Sequence, residues 1–201
     1  MAISSRIGKL IPSTSALFVC DVQEKFRPVI SHFPAVIDTA RRMIRGANTL
    51  QLPVIATEQY PKALGSTCSE LVEVLTPTSP IVPKTLFSML TPEVEEALQK
   101  MPNVKQVMLL GIEAHVCVLQ TTLDLMERGF EVHLVVDGVS SQRLHDRAVG
   151  IHRMSQAGAF ITTSEMILFQ MMKDAKHKDF KAISALVKES QAEPIPFTSS
   201  L

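Results

Sequence analysis

Three residues of the 201-residue chain have side chains that could together form a nucleophilic catalytic unit: Asp21, Lys84 and Cys117. A cysteine at a helix start feels the positive end of the helix dipole, and a nearby ammonium group favours its thiolate. Lys84 and the helix start would therefore activate Cys117, and Asp21 would take the thiol proton and deliver it to a leaving group. The backbone amides at the same helix start would face a substrate oxyanion. Such a unit would split an amide or related acyl bond through a thioester.

Each of these residues also has an ordinary structural interpretation when it is considered alone. Free cysteine is among the most buried residue types, so Cys117 could be a small core side chain. Asp21 could cap a turn at a strand end, and Lys84 could be a surface charge. The catalytic hypothesis therefore depends on whether the fold brings the three side chains together.

Six short apolar runs have the pattern of buried β-strands, and helical segments alternate with them. Continuous apolar runs are typical of strands covered on both faces, as in a parallel sheet. The alternation predicts βαβ units with right-handed crossovers and helices on both faces. The predicted strands are Ala16–Cys20, Pro53–Thr57, Ile81–Lys84, Lys105–Gly111, Glu131–Asp137 and Ala159–Thr163. The predicted helices are Phe33–Leu50, Thr91–Met101, Cys117–Gly129, Arg143–Gly158, Ser164–Met172 and Asp179–Lys188.

The predicted sheet gives the three candidate residues a common location. In an open α/β sheet, ligands bind beyond the carboxyl ends of the strands, where the strand order reverses. Asp21 and Glu58 directly follow predicted strands, Lys84 ends a third, and residues 111–117 leave the fourth. We therefore expect Asp21, Lys84 and Cys117 to meet at one edge of a single domain that spans residues 1–201, with its core at about 13–186.

Composition indicates a globular protein and gives no sign of a nucleic-acid or membrane partner. Hydrophobic residues make up 46% of the chain, and 20 basic residues balance 20 acidic ones, so nucleic acid and anionic membranes are disfavoured. No apolar run is long enough to span a bilayer. A cytoplasmic location is predicted, although Arg6 and Lys9 in a start rich in serine leave mitochondrial association open.

The remaining histidines and cysteines give weaker sites. His115 lies two residues before Cys117, and side chains with that spacing do not face each other on a helix. His145 and His152 share a helix face without a third ligand at metal spacing. Cys20, beside Asp21, is expected to point to the opposite face and to pack in the core. Cys68 is expected to be an exposed thiol in a polar loop, and the three widely spaced cysteines fit a reducing compartment rather than a disulfide framework.

Three motifs resemble those of the isochorismatase-like cysteine hydrolases, and are most similar to the eukaryotic isochorismatase domain-containing subgroup. They are LFVCDVQEKF with Asp21, VPKTLFSML with Lys84, and LLGIEAHVCVLQTTLDLMERG with Cys117. The resemblance covers residues 13–186 in the correct order. It implies a three-layer α/β/α, Rossmann-like fold with a mainly parallel six-stranded sheet and an Asp21-Lys84-Cys117 triad.

The same resemblance implies further features around the nucleophile. A non-proline cis peptide would join Ile112 to Glu113, and the backbone amides of Glu113 and Cys117 would form the oxyanion hole. Many relatives carry alanine at the position of Glu113, so this residue adds a carboxylate near the site. Phe26, Glu58, Gln59, Tyr60 and Phe87 would line the substrate pocket, because they lie beside motif residues.

Departures from the family pattern narrow the expected function. Nicotinamidases of this superfamily bind a metal through an Asp-x-His motif, but this chain has TEQYPKALG there and no histidine between His32 and His115. No metal and no cofactor are therefore expected, and no GxGxxG or P-loop motif indicates a nucleotide. Isochorismatase itself cleaves a vinyl ether without a thiolate, so the retained Cys117 points to different chemistry.

The sequence thus predicts a metal-free cysteine hydrolase of a small amide, carbamoyl or related substrate. The alternative is a catalytically degenerate binding or interaction protein that keeps the hydrolase pocket, an interpretation motivated by the missing metal ligands and by Glu113. Relatives are usually oligomers, and the apolar segment MILFQMM is compatible with a homo-oligomer interface or with core packing.

Overall fold

A parallel six-stranded sheet forms the centre of the fold. The computed structural model describes residues 7–189 and 192–196, so Arg6 lies outside the described part of the chain. The strand order is β3-β2-β1-β4-β5-β6, and every neighbouring pair is parallel. The strands are β1 (Ser15–Cys20), β2 (Val54–Gln59), β3 (Ile81–Lys84), β4 (Gln106–Ile112), β5 (Glu131–Ser140) and β6 (Phe160–Thr162). The predicted α/β fold with a mainly parallel sheet is confirmed.

Helices flank the sheet in two groups that form the outer layers. In the first group α1 contacts α3, α7 and α8, and in the second α5 packs on α6. The helices are α1 (Phe33–Thr49), α2 (Pro61–Leu64), α3 (Ser69–Val72), α4 (Pro92–Gln99), α5 (Leu119–Glu127), α6 (Leu144–Ala157), α7 (Ser164–Met172) and α8 (Phe180–Val187). None of the helices in the described residues is long and apolar enough to cross a bilayer.

The core lies where the sequence patterns placed it, in the central strands. Every residue of β1 and of β4 is buried, because both strands have neighbours on each side and helices above and below. Helix α4 begins with a side-chain cap: Thr91 Oγ1 accepts a hydrogen bond from Val94 N at 3.4 Å, and Pro92 is the first helical residue.

The segment MILFQMM lies mainly in the core. It forms most of α7, where Ile167, Leu168, Met171 and Met172 are buried, while Met166 and Phe169 face outward. Core packing thus accounts for half or more of this apolar run, and two large apolar side chains of it are left at the surface.

Two local differences from the sequence expectations affect the site. The helix predicted at Cys117–Gly129 is instead a π-helical turn, Ala114–Val118, followed by α5. Strand β5 runs three residues beyond its predicted end, and its register with β4 shifts between Leu109 and Gly111. Such bulges and π turns are frequent beside functional sites, because each changes the direction of a side chain.

Candidate active site

The strand order reverses between β1 and β4, and the candidate residues gather at that point. Asp21 directly follows β1, Lys84 is the last residue of β3, and Cys117 lies in the π turn after β4. Lys84 Nζ is 2.7 Å from Asp21 Oδ2, and Lys84 also interacts electrostatically with Cys117. The sheet therefore brings together three side chains that are far apart in sequence, as the parallel topology required.

Asp21 is a buried carboxylate whose two oxygens both have donors. Thr57 Oγ1 donates to Oδ1 at 2.7 Å, and Lys84 Nζ donates to Oδ2 at 2.7 Å. The backbone of Asp21 has a φ of 53°, in the left-handed region that few residues adopt except glycine, asparagine and aspartate. This conformation turns the chain sharply at the end of β1.

Lys84 is fully buried and has more partners than the sequence suggested. Besides Asp21, its Nζ donates to Gln59 Oε1 at 2.6 Å and to the carbonyl oxygens of Leu86 and Phe87 at 3.1 and 3.0 Å. Burial alone would lower the pKa of Lys84, but interactions with Cys20, Asp21 and Cys117 outweigh burial and leave that pKa above its ordinary value. Lys84 is thus a fixed positive charge at neutral pH.

Cys117 is positioned by a turn that is held on several sides. The peptide bond between Ile112 and Glu113 is cis, which confirms the expectation from the resemblance. Glu113 O accepts hydrogen bonds from Val116 N and Val118 N, and Thr121 Oγ1 donates to Cys117 O at 2.6 Å. The side chain of Cys117 is enclosed but not sealed, since 7% of the residue is exposed.

Two glycines allow the close packing around this turn. Gly111 has a φ of +119°, and a Cβ at this position would lie 2.1 Å from Cys20 O. A Cβ at Gly150 would lie 3.0 Å from Ala114 O, where α6 crosses the π turn. Only a residue without a side chain permits β4 to approach β1 at Gly111, since both the backbone angle and the space exclude a Cβ.

Cys20 packs in the core, as expected, but the expectation that its side chain points to the face opposite Asp21 was wrong, and Cys20 belongs to the site. It is fully buried, but its thiol donates to Asp21 Oδ2 at 3.6 Å and interacts with the Cys117 side chain. The alternation argument fails because Asp21 lies beyond the end of β1 in a left-handed conformation. Burial, followed by the interactions with Cys117 and Asp21, raises the pKa of the Cys20 thiol well above its ordinary value.

Cys68 is buried, so the expectation of an exposed thiol was also wrong. Burial raises its pKa to about 12. Among the described residues, Glu24, Cys68 and Glu70 form one group close enough to share a metal ion. However, Arg27 donates to Glu24 Oε1 at 2.9 Å and to Glu70 Oε2 at 2.5 Å, so the guanidinium already balances both carboxylates.

The carboxylate of Glu113 has a structural partner. Gln142 N donates to Glu113 Oε2 at 2.9 Å, which ties the turn before Cys117 to the loop after β5. His115 makes a second connection to that loop, because its Nδ1 lies 3.0 Å from Ser141 Oγ. His115 thus bonds away from Cys117, while His145 and His152 are exposed on α6.

The five residues expected to line the substrate pocket lie at the same edge of the sheet, but they do not all line the cavity beside Lys84. This cavity has a volume of about 430 Å³, and Tyr60 is one of its lining residues. Glu58 Oε1 accepts hydrogen bonds from Thr67, at 2.6 Å from N and 2.8 Å from Oγ1. For Phe26, Glu58, Gln59 and Phe87, contact with a substrate stays a prediction.

Sequence reasoning missed the residues that hold the charged pair. Gln23 is fully buried, and its side chain donates to Gln59 O at 3.0 Å and accepts from Gln59 N at 2.7 Å. Gln59 in turn binds Lys84, while Thr57 binds Asp21. The available signal was position, since Gln23 is two residues after Asp21 and Thr57 ends an apolar run.

Comparisons with known proteins identify relatives of this chain. Residues 15–166 match the model of the isochorismatase domain family. The chain is 48% identical to isochorismatase domain-containing protein 1 of Salmo salar over 93% of its own length, and spans 65% of that relative. It is 47% identical to isochorismatase domain-containing protein 2 of Homo sapiens, covering 91% of this chain and 87% of the relative.

A solved structure is similar over almost the whole chain. The MAR1 ribonuclease of Caenorhabditis elegans superimposes with a TM-score of 0.89 at 47% identity, covering 96% of this chain and all of that one. The family match and these relatives show that the chain belongs to the isochorismatase domain family.

Proposed function

We propose that the chain hydrolyses a small amide, carbamoyl or related acyl substrate through a covalent thioester on Cys117. Membership of the isochorismatase domain family supports a hydrolase. The observation that carries the proposal is the buried Lys84–Asp21 pair, at 2.7 Å, where strand order reverses beside Cys117. Burying two charges is costly for folding, so such a pair at a ligand crevice favours a catalytic role.

The first chemical step uses all three side chains. Asp21 accepts the Cys117 thiol proton, and the positive charge of Lys84 stabilises the thiolate. The sulfur attacks the substrate carbonyl carbon, a C–S bond forms, and the carbonyl π electrons move to oxygen. The backbone N–H groups of Glu113 and Cys117 donate to this oxyanion.

The later steps return the enzyme to its starting state. The tetrahedral intermediate collapses, the bond to the leaving group breaks, and that group takes the proton held by Asp21. A water molecule then attacks the thioester while Asp21 accepts one of its protons. The C–S bond breaks, the acid product leaves, and Cys117 regains its proton. Thr57 and Lys84 hold Asp21 in one orientation throughout.

We propose that Phe26, Glu58, Gln59, Tyr60 and Phe87 form the pocket wall. The support is their location at the same sheet edge as Lys84: Gln59 binds Lys84 Nζ, and the Phe87 carbonyl does so as well. Tyr60 also lines the cavity beside Lys84, whereas Phe26, Glu58, Gln59, Phe87 and Cys117 are not among the residues that line it.

The degenerate binding protein is the less favoured reading. Part of its motivation was the carboxylate of Glu113, and that carboxylate accepts a hydrogen bond from Gln142 N. Nucleic acid must be considered separately as a substrate, because the similar Caenorhabditis elegans protein is named a ribonuclease. The balanced charge of this chain gives no electrostatic reason to expect RNA binding. RNA is therefore included only as one of the substrates to be tested.

A substrate panel with two cysteine variants tests the proposal. Small amides, carbamoyl compounds, esters and a short single-stranded RNA are each incubated with wild type, Cys117→Ala and Cys68→Ser. Turnover of one acyl class is expected in wild type and Cys68→Ser, with none in Cys117→Ala. Mass spectrometry after a rapid acid quench should find the acyl group on Cys117. Turnover that survives Cys117→Ala, or RNA cleavage as the sole activity, would contradict the proposal.

We also propose that the chain forms a homo-oligomer in a reducing, cytoplasmic compartment. Leu86, which is not part of the proposed pocket wall, is a half-exposed apolar side chain that a second copy could cover. All three cysteines are free thiols, which suits a reducing compartment. Sedimentation velocity of wild type and of a Leu86→Lys variant tests the assembly: the variant should dissociate, and a monomeric wild type would contradict the proposal.

A further inference from the structure

The side chain of Cys20 forms a hydrogen bond with the side chain of Cys117. Cys20 is the last residue of β1, and Cys117 lies in the turn that leaves β4. Gly111 brings these strands so close that a Cβ there would meet Cys20 O. The Cys20 and Cys117 side chains interact with each other, and both interact with Lys84.

The two cysteines differ in access, and Cys20 has the additional contact with Asp21. Cys117 is 7% exposed and Cys20 is fully buried, so a small oxidant reaches Cys117 first. Burial and the neighbouring side chains raise the pKa of Cys20, which keeps it a thiol. The hydrogen bond from Cys20 Sγ to Asp21 Oδ2, at 3.6 Å, gives that thiol a proton acceptor. Cys117 is thus accessible to an oxidant, and Cys20 is placed to react with the oxidised Cys117.

We propose that Cys117 and Cys20 form a reversible oxidation site for hydroperoxides, with Cys20 as the resolving cysteine. Asp21 accepts the Cys117 thiol proton and the thiolate attacks the terminal peroxide oxygen. The O–O bond breaks, Cys117 becomes a sulfenic acid, and the leaving alkoxide or hydroxide takes the proton from Asp21. Cys20 then transfers its proton to Asp21 and attacks the Cys117 sulfur. The S–O bond breaks, hydroxide leaves and takes that proton as water, and a disulfide remains. The peroxide is reduced, and two thiols are oxidised.

The disulfide would inactivate the site and protect it. Cys117 could no longer attack a substrate, and its sulfur would be shielded from irreversible oxidation to sulfinic or sulfonic acid. A small thiol reductant would restore both cysteines by thiol–disulfide exchange. The inference rests on the proposed function in one respect, since it requires Cys117 to be the reactive thiol.

Cys68 provides a matched control within the same chain. It is as buried as Cys20, but it lies at the start of α3 beside Glu24, Glu70 and Arg27, away from Cys117. The same substitution at Cys68 therefore removes a buried thiol without removing the resolving partner.

Hydrogen peroxide treatment followed by non-reducing peptide mapping tests the inference on the full chain. Wild type and Cys68→Ser should lose two hydrogen atoms, yield a peptide that joins Cys20 to Cys117, and lose all rapid reaction of Cys117 with iodoacetamide. Dithiothreitol should restore that reaction fully. Cys20→Ser should instead gain one to three oxygen atoms at Cys117 and recover little on reduction.

The result that overturns the inference is a wild type in which Cys117 gains oxygen or stays unmodified and no Cys20–Cys117 peptide forms. This measurement needs no variant, so misfolding of Cys20→Ser does not affect it. Alkylation of the reduced wild type, run in parallel, separates the two claims. Fast alkylation of Cys117 without a cross-link overturns the resolving role alone, whereas slow alkylation overturns the nucleophile and with it the proposed function.

Discussion

Replacing Lys84 with methionine removes the charge of the buried ion pair while keeping most of the side-chain volume. Asp21 would remain buried with Thr57 as its close donor and the weak thiol donor of Cys20 at 3.6 Å. Gln59 Oε1 and two backbone carbonyls would also lose their shared donor. The variant therefore leaves one unpaired buried charge and three acceptors without their ammonium partner.

The expected loss of stability is large. Breaking a buried ion pair by removing one partner costs about 3–5 kcal/mol, which lowers Tm by roughly 6–20 °C in a chain of this size. Lys100 supplies the matched control, because Lys100→Met removes an exposed pair with Glu96 at 2.7 Å. Loss of such a surface pair costs about 0.3–0.5 kcal/mol.

Urea unfolding of the two variants, followed by circular dichroism, measures this difference. The pKa of Lys84 is raised in the folded state above its ordinary value of 10.5. The charge of Lys84 therefore stabilises the fold fully at neutral pH, and this stabilisation is lost as the pH rises from 10.5 through the raised pKa. The gap between wild type and Lys84→Met should therefore narrow in strong alkali. Equal losses for Lys84→Met and Lys100→Met at pH 7 would refute the reasoning.

Two other substitutions test the packing and the electrostatics of the fold. Gly111→Ala should lower the free energy of unfolding by roughly 2–5 kcal/mol, because the new Cβ is strained and overlaps Cys20. The control Gly129→Ala has φ +84° but no atom within 4 Å of the new Cβ, so it should lower that free energy by about 1 kcal/mol. Similar urea midpoints for the two variants would contradict this account. Burial lowers the pKa of His133 from 6.5 to about 4. As the pH falls through this range, His133 is protonated in the unfolded chain before it is protonated in the folded chain, so the free energy of unfolding of wild type should fall by up to about 3 kcal/mol. His133→Phe, which keeps a ring beside Phe160, should flatten that part of the pH profile, and an unchanged profile would count against the assignment.

Sequence periodicity was sufficient for the sheet, because buried parallel strands require continuous apolar runs. The third predicted strand coincides with β3, and the helix predicted at Ser164–Met172 coincides with α7. The convergence of Asp21 and Lys84 followed from the same argument, since parallel strands end at one edge. These features depend on patterns that repeat along the chain.

Features that depend on single backbone angles or on contacts distant in sequence could not be predicted. The left-handed Asp21 brought the Cys20 thiol into the site, against the alternation expected of a strand. The burial of Cys68 depends on α3, a four-residue helix too short to show a period. The bond from Gln142 N to Glu113 joins residues 29 apart, and no local pattern marks it.

The rate of Cys117 alkylation by iodoacetamide at pH 7, assigned by peptide mass spectrometry, tests the central claim most directly. A free thiol is only about 3% thiolate at this pH, so activation can raise the rate by up to about 30-fold. Burial that leaves 7% of the residue exposed would slow an unactivated thiol. We predict a rate above that of glutathione, lost in Lys84→Met. A wild-type rate at or below that of glutathione would show that Cys117 is a packed cysteine and not a nucleophile.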